Sequence, residues 1–346
     1  MTTDRRPSSA PLILLFTAVV MLVGWTLFRN GFNTASSERL VVYCAHDSVY
    51  AEPILRQFEL ATGMRVDVRF DTEATKSLGL VRQLIQEAAD PRCDVFWNNE
   101  LLGTMELKEQ GLLETYRGKA WERLPATFRD PDGQWVGFGG RLRVYVINPD
   151  KMPVSEAAME LSLAANSLAE MAIARPMFGT TLTQYSLQWQ QWGPERQKAW
   201  HDDLHRRGVI EATGNGMVKN LIAAGTCGFG LTDTDDVFVA KDDGYNVAML
   251  PVRVEGKTIC IPNTAAIVRG TKNLSAAQRL IDYLASAETE LALANSKSRQ
   301  VPLGPVAAEQ VPRDVRPLVE WAQDAADLSG LLPARRACLE WLREAE

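Results

Sequence analysis

Three carboxylates, Asp233, Asp235 and Asp236, fall within four positions of the segment GLTDTDDVF, directly after the glycine-spaced apolar run CGFGL. Ionised carboxylates so close together are hard oxygen donors, suited to a cation or to the hydroxyls of a polar solute. They also suit a helix start, with Thr234 as N-cap and Asp235 and Asp236 in the first turn facing the positive end of the helix dipole. The two roles are compatible where a helix begins at the carboxyl end of a strand. Comparable polar clusters follow other apolar runs: His46, Asp47 and Ser48 after RLVVYCA, Asp71 to Thr75 with Glu73 between, and Asn98, Asn99 and Glu100 after CDVFW. Asp47 and Ser48 double as caps for the helix that follows. Thr180 and Thr181 open a helix behind a glycine, where free N–H groups suit an anion. Asn215 opens another after a glycine-rich turn, and Arg141 and Arg143 project from GRLRV, suited to an anion or to a carboxylate across a hinge.

Other chemistries find less support. HDDLH sets His201 and His205 four apart, as in a zinc-protease helix, but Asp202 is too short for the glutamate role and no third ligand follows, so a solvated face is expected. With three histidines in the chain and no G-x-S-x-G elbow, a serine hydrolase has no basis, and no enzyme is expected. The five cysteines, Cys44, Cys93, Cys227, Cys260 and Cys338, show no C-x-x-C spacing, and buried small hydrophobes are the simplest reading. A net charge of −6 without a basic run argues against nucleic acid.

The elements that position the polar clusters read as alternating strands and helices. RLVVYCA, MRVDVRF and CDVFWNNE are strands separated by helices with apolar residues at helical spacing, such as Ile54, Leu55, Phe58 and Ala61 before a stop at Gly63. That order implies a parallel sheet covered on both faces, with ligands gathering outside the strands' carboxyl ends. WVGFGGRLRVYVIN reads as a crossover between lobes; AIARP, CGFGLTD and YNVAMLPV build a second α/β unit, and TICIPNTAAIV returns to the first. At 346 residues, 46% hydrophobic, the chain is long enough for two lobes. Near the N-terminus, Arg5 and Arg6 precede an uncharged run from Leu12 to Phe28, about 25 Å if helical, which reads either as a retained membrane anchor or as a cleaved signal. Both readings place the remainder outside the cytoplasm.

The motifs VVYCAHDSVYAEPILRQFELATGMRV, DVFWNNELLGTMELKEQGLLE, GRLRVYVIN, GFGLTDTDD, IPNTAAIV and AAQRLIDYLAS, in this order, resemble the type II periplasmic solute-binding proteins of ABC importers, nearest the ferric-ion-binding branch. The resemblance covers Arg39 to about Pro305. It implies two α/β lobes, residues 38–141 plus 258–303 and 142–257, closing on a ligand at the hinge. Residues 1–37 form the apolar segment and stem, and 304–346 supply C-terminal helices. It implies an exported, periplasmic monomer that hands a small solute or cation, with ferric iron a candidate, to a permease and its ATPase. A tethered sensor of the same fold, binding a polar organic or anionic solute, is the alternative. The place of the relatives' histidine falls on Asp47, beside His46; that of their glutamate on Asn99, beside Glu100; that of their tyrosine pair on Asp235 and Asp236; and that of the anion-binding arginine on Arg141 or Arg143. None of the usual metal-ligand types is retained in place, yet Asp47, Asp235 and Asp236 remain a hard donor set for a metal ion.

Overall fold

The computed structural model describes residues 39–71 and 78–345. The segment Leu12 to Phe28 and the site positions Glu73 and Thr75 lie outside these residues. Among the described residues, no helix is long and apolar enough to cross a membrane.

The strands are β1 (Arg39–Cys44), β2 (Arg65–Phe70), β3 (Val95–Asn98), β4 (Val136–Ile147), β5 (Met171–Ala174), β6 (Ile210–Ala212), β7 (Phe229–Asp233), β8 (Ala248–Pro251), β9 (Arg253–Val254), β10 (Lys257–Thr258) and β11 (Cys260–Ile267). One sheet runs β2-β1-β3-β11-β4-β7-β5-β6, with β8 also on β4. β1, β2 and β3 are mutually parallel, as are β5, β6 and β7, whereas β4 and β11 are antiparallel to their neighbours. The helices are α1 (Ser48–Thr62), α2 (Leu78–Gln86), α3 (Leu102–Glu109), α4 (Lys119–Arg123), α5 (Glu156–Ala164), α6 (Gly179–Trp192), α7 (Pro194–Arg206), α8 (Asn215–Ala223), α9 (Thr234–Asp242), α10 (Leu274–Leu284), α11 (Ala287–Asn295), α12 (Arg316–Gln323) and α13 (Leu332–Ala345). Runs such as MAIA and CIPNTAAI are buried throughout because helices cover both faces, so they lack the alternation of a half-exposed strand.

β4 joins the two halves. Its first part, Val136 to Leu142, pairs with β11, and its second part, Arg143 to Ile147, pairs with β7 and β8. Just before the changeover, Gly139 adopts φ +49, a left-handed conformation that favours glycine. The buried Glu290 of α11 holds this point: its carboxylate accepts from Gly139 N (3.0 Å), Leu303 N (2.8 Å), Gly304 N (3.1 Å) and Arg123 Nη2 (2.7 Å).

Within the other half, Gly230 lets β5 and β7 approach. A Cβ there would lie 2.5 Å from the backbone oxygen of Ala172 and 2.7 Å from Val218. Backbone cannot move aside cheaply, so Gly230→Ala is expected to cost about 1–3 kcal/mol, read as a lower urea midpoint at unchanged slope.

The C-terminal helix α13 is more than a satellite. Arg335 and Arg336 pair with Glu106 (2.8 Å) and Glu109 of α3, while Cys338 and Leu342 pack with Leu182 and Tyr185 of α6. It therefore touches helices that follow strands of both halves. This corrects the expected solvated face at His201: Trp341 of α13 meets that ring edge-on at 5.2 Å, and Tyr185 Oη lies 3.1 Å from its Nδ1. Burial, with His205 adding to it, pulls the His201 pKa down to about 4, which favours a packed neutral ring.

Candidate functional site

The site begins where β7 ends. Asp233 stands at the N-cap position of α9, but its side chain makes no capping bond. Thr234, the expected N-cap, is already helical, and its hydroxyl accepts from Leu142 N of β4 (3.2 Å). The Asp233 carboxylate is instead held by Arg143 Nη1 (2.9 Å), Thr180 Oγ1 (2.6 Å) and Asn215 Nδ2 (3.0 Å). Arg143 is fully buried and also donates to Asn215 Oδ1 (3.1 Å) and Gln184 Oε1 (3.0 Å), while Thr181 donates to Asn215 Oδ1 (3.1 Å). Arg143, Thr180, Thr181 and Asn215 thus converge as expected, but on an internal carboxylate.

Asp235 and Asp236 lie beyond this network. One oxygen from each of Asp233, Asp235 and Asp236 falls within 4.8 Å of the others. Asp236 accepts from Thr232 Oγ1 (2.6 Å), whereas among the described residues Asp235 accepts only from the Asp236 backbone N–H at 3.2 Å. Arg141 faces them: its Nε is 3.8 Å from Asp233, and its Nη2 donates to the Asn99 carbonyl. Since Asn99 follows β3 and Asp233 ends β7, Arg141 touches both halves.

On the β1 side, Asp47 is the N-cap residue of α1 and makes no capping bond. His46 lies between Tyr50 and Trp97, with ring centroids at 5.7 and 5.6 Å, and its Nε2 is 3.3 Å from Gln300 Nε2. Asn98 and Glu100 turn inward. Glu100 accepts from Leu102 N (2.6 Å) and Gly103 N (2.8 Å) at the start of α3, and Asn98 donates to Thr104 (3.3 Å). Tyr50 escaped the sequence reading, although it sits one helical turn past His46. Burial raises its pKa, and Asp47 and Asp235 raise it further, so the phenol stays protonated beside the carboxylates.

The electrostatics favour positive charge. Asp47, Asp233, Asp235 and Asp236 make four carboxylates against the guanidiniums of Arg141 and Arg143 and the ammonium of Lys219, which leaves one negative charge when all are ionised. Burial pushes the Asp235 carboxyl up to about 7; Arg141 opposes this, and Asp236, Asp233 and Asp47 add repulsion. Asp236 is raised as well, first by burial and then by Asp233. A carboxyl raised in the folded state keeps its proton there longer than in the unfolded chain. Its contribution therefore favours folding at acid pH and is lost as pH rises from the ordinary carboxylate range through about 7. The free protein is expected to melt lower near pH 8 than near pH 5.5, and that difference to shrink in Asp235→Asn, as measured by scanning calorimetry.

Parallel half-sheets joined by antiparallel strands, with polar groups from both halves at the strand ends, define a two-lobed α/β binding protein. Residues 40–296 match the bacterial extracellular solute-binding proteins, and the chain belongs to that family. It is 24% identical to an uncharacterized protein of Haemophilus influenzae, covering 95% of this chain and 98% of that one. It is also 24% identical to iron uptake protein A2 of Synechocystis sp., over 66% of this chain and 72% of that one. The ferric binding protein from Campylobacter jejuni shares the fold at a TM-score of 0.76, with 19% identity over 88% of this chain and 98% of that one. The family is one of solute-binding proteins, and the Campylobacter structure is of a ferric binding protein.

Proposed function

We propose that this chain is the exported solute-binding component of an ABC importer, working as a monomer in the periplasm. It captures a hard cation between residues 38–141 plus 258–303 on one side and 142–257 on the other, and delivers it to a membrane permease and its ATPase. The observation that carries this reading is the surplus of clustered carboxylates, Asp233 buried and Asp47, Asp235 and Asp236 half-buried, with few hydrogen-bond donors to Asp235 among the described residues. A cation would relieve the repulsion that raises Asp235 and Asp236. The names of the relatives favour ferric iron as cargo. Asp47, Asp235 and Asp236 would hold the cation, Tyr50 is the nearby phenol, and Arg141 would meet an accompanying anion. Contacts from both halves favour closure on the ligand, and the closed form is the one a permease would select.

Isothermal titration of the metal-free protein with ferric citrate, manganese and calcium tests this. Saturable binding of at least one of these cations is expected. Heats that show binding of citrate alone and of no cation would refute the cation reading.

A further inference from the structure

We propose that Arg299 is a positioning residue: it clasps the two halves at the far end of the helix that presents the carboxylates and so sets how long a ligand stays. This rests on the cleft reading above. Arg299 follows α11 with φ +43, a left-handed conformation that a bulky side chain rarely adopts and that persists only where its surroundings fix it.

The surroundings do fix it. Its N–H donates to the Ser296 carbonyl (3.1 Å). Next in the chain, Gln300 approaches His46 at 3.3 Å and accepts from Asn263 Nδ2 (2.7 Å), and Val301 exchanges backbone hydrogen bonds with Gly140 (2.8 and 2.7 Å). These partners sit on β11, on the first part of β4 and just beyond β1, so the Arg299 backbone belongs to the β1 half.

Its side chain crosses to the other half. Nη1 and Nη2 donate to Asp242 Oδ2 (2.8 Å) and Oδ1 (2.7 Å), and the guanidinium lies 5.1 Å from the Phe238 ring centroid. Nε also pairs with Asp314 at 2.8 Å, which steadies the fork. Asp242 and Phe238 both belong to α9, whose first turn carries Asp235 and Asp236. A two-pronged pair thus ties the far end of the helix that presents the site acids. If the halves separate, this pair must break, so it favours the arrangement in which both rims face one ligand. Its loss lowers the population of that arrangement and weakens apparent affinity by the same fraction.

The test places spin labels on cysteines introduced by Leu60→Cys in α1 and Met217→Cys in α8, two exposed positions in different halves; all five native cysteines are buried. In the ligand-free protein, Arg299→Ala and Asp242→Asn are each expected to extend the inter-label distances. Arg299→Lys, which keeps the charge but not the fork, is expected to fall between the parent and Arg299→Ala, and Arg299→Ala with Asp242→Asn together to extend them no further than one change alone. With ferric citrate as probe, dissociation is expected to quicken roughly fivefold while association changes little. Distances that match the parent in both single variants overturn the clasp, even if those variants melt lower. Because the distances are read without ligand, they decide the clasp even where ferric citrate fails to bind the parent, a failure that counts against the cargo reading alone.

Discussion

Asp235→Asn combined with Asp236→Asn is expected to fold normally and to lose cation affinity by roughly a hundredfold or more, about 3 kcal/mol. Folding should survive because these carboxylates repel each other in the free protein and the substitutions remove that repulsion. Affinity should collapse because an amide oxygen carries no net charge, so two charged donors become weak dipolar ones. Asp233→Asn is the informative contrast. Its carboxylate already holds Arg143, Thr180 and Asn215, so this change should lower stability as well as binding. Titration of each variant, paired with its melting temperature, separates the two behaviours. Equal affinity in the double variant and the parent would remove Asp235 and Asp236 from the site.

Glu290→Ala should be the most damaging single change to the fold, lowering stability by about 3–5 kcal/mol. The carboxylate is wholly buried, and its removal leaves the N–H groups of Gly139, Leu303 and Gly304 without their acceptor and Arg123 without its counter-ion. Domains are typically stable by about 5–15 kcal/mol, so a loss of that size is a large share of the total. Glu290→Gln keeps the shape and one acceptor oxygen and should fall between the two. Urea unfolding of the three proteins checks the order.

The sequence revealed the fold best where apolar runs were long. RLVVYC, VFWN and CIPNTAAI are buried strands as their composition implies, and Gly63 ends α1 with φ 72 as its type suggests. Shorter pieces stayed hidden. β6 has three residues and the β9–β10 hairpin two per strand, too few to display a period. The helix EAAMELSLA went unread because its inward face is narrow, with Met159 buried and Leu163 partly buried against the core.

The site was legible as a set of polar strand ends but not as a division of labour. Asp233 and Asp235 have the same chemistry in the sequence; only the arrival of Arg143 from β4, 90 positions away, makes Asp233 an internal partner and leaves Asp235 free of that network. Glu100 and Asn98 read as ligands because they follow a strand, yet the start of α3 claims them. The His201 ring gave no sign that a helix more than 130 positions later would cover it. Long-range partners of this kind leave no periodic trace in sequence.

The central claim, that the cleft captures a cation through Asp235 and Asp236, is tested most directly by native mass spectrometry of the protein produced in its host and purified without chelators. The expected spectrum carries a retained metal mass that chelation or the double asparagine variant removes. A bare protein mass, or a metal mass that persists unchanged in that variant, would contradict it.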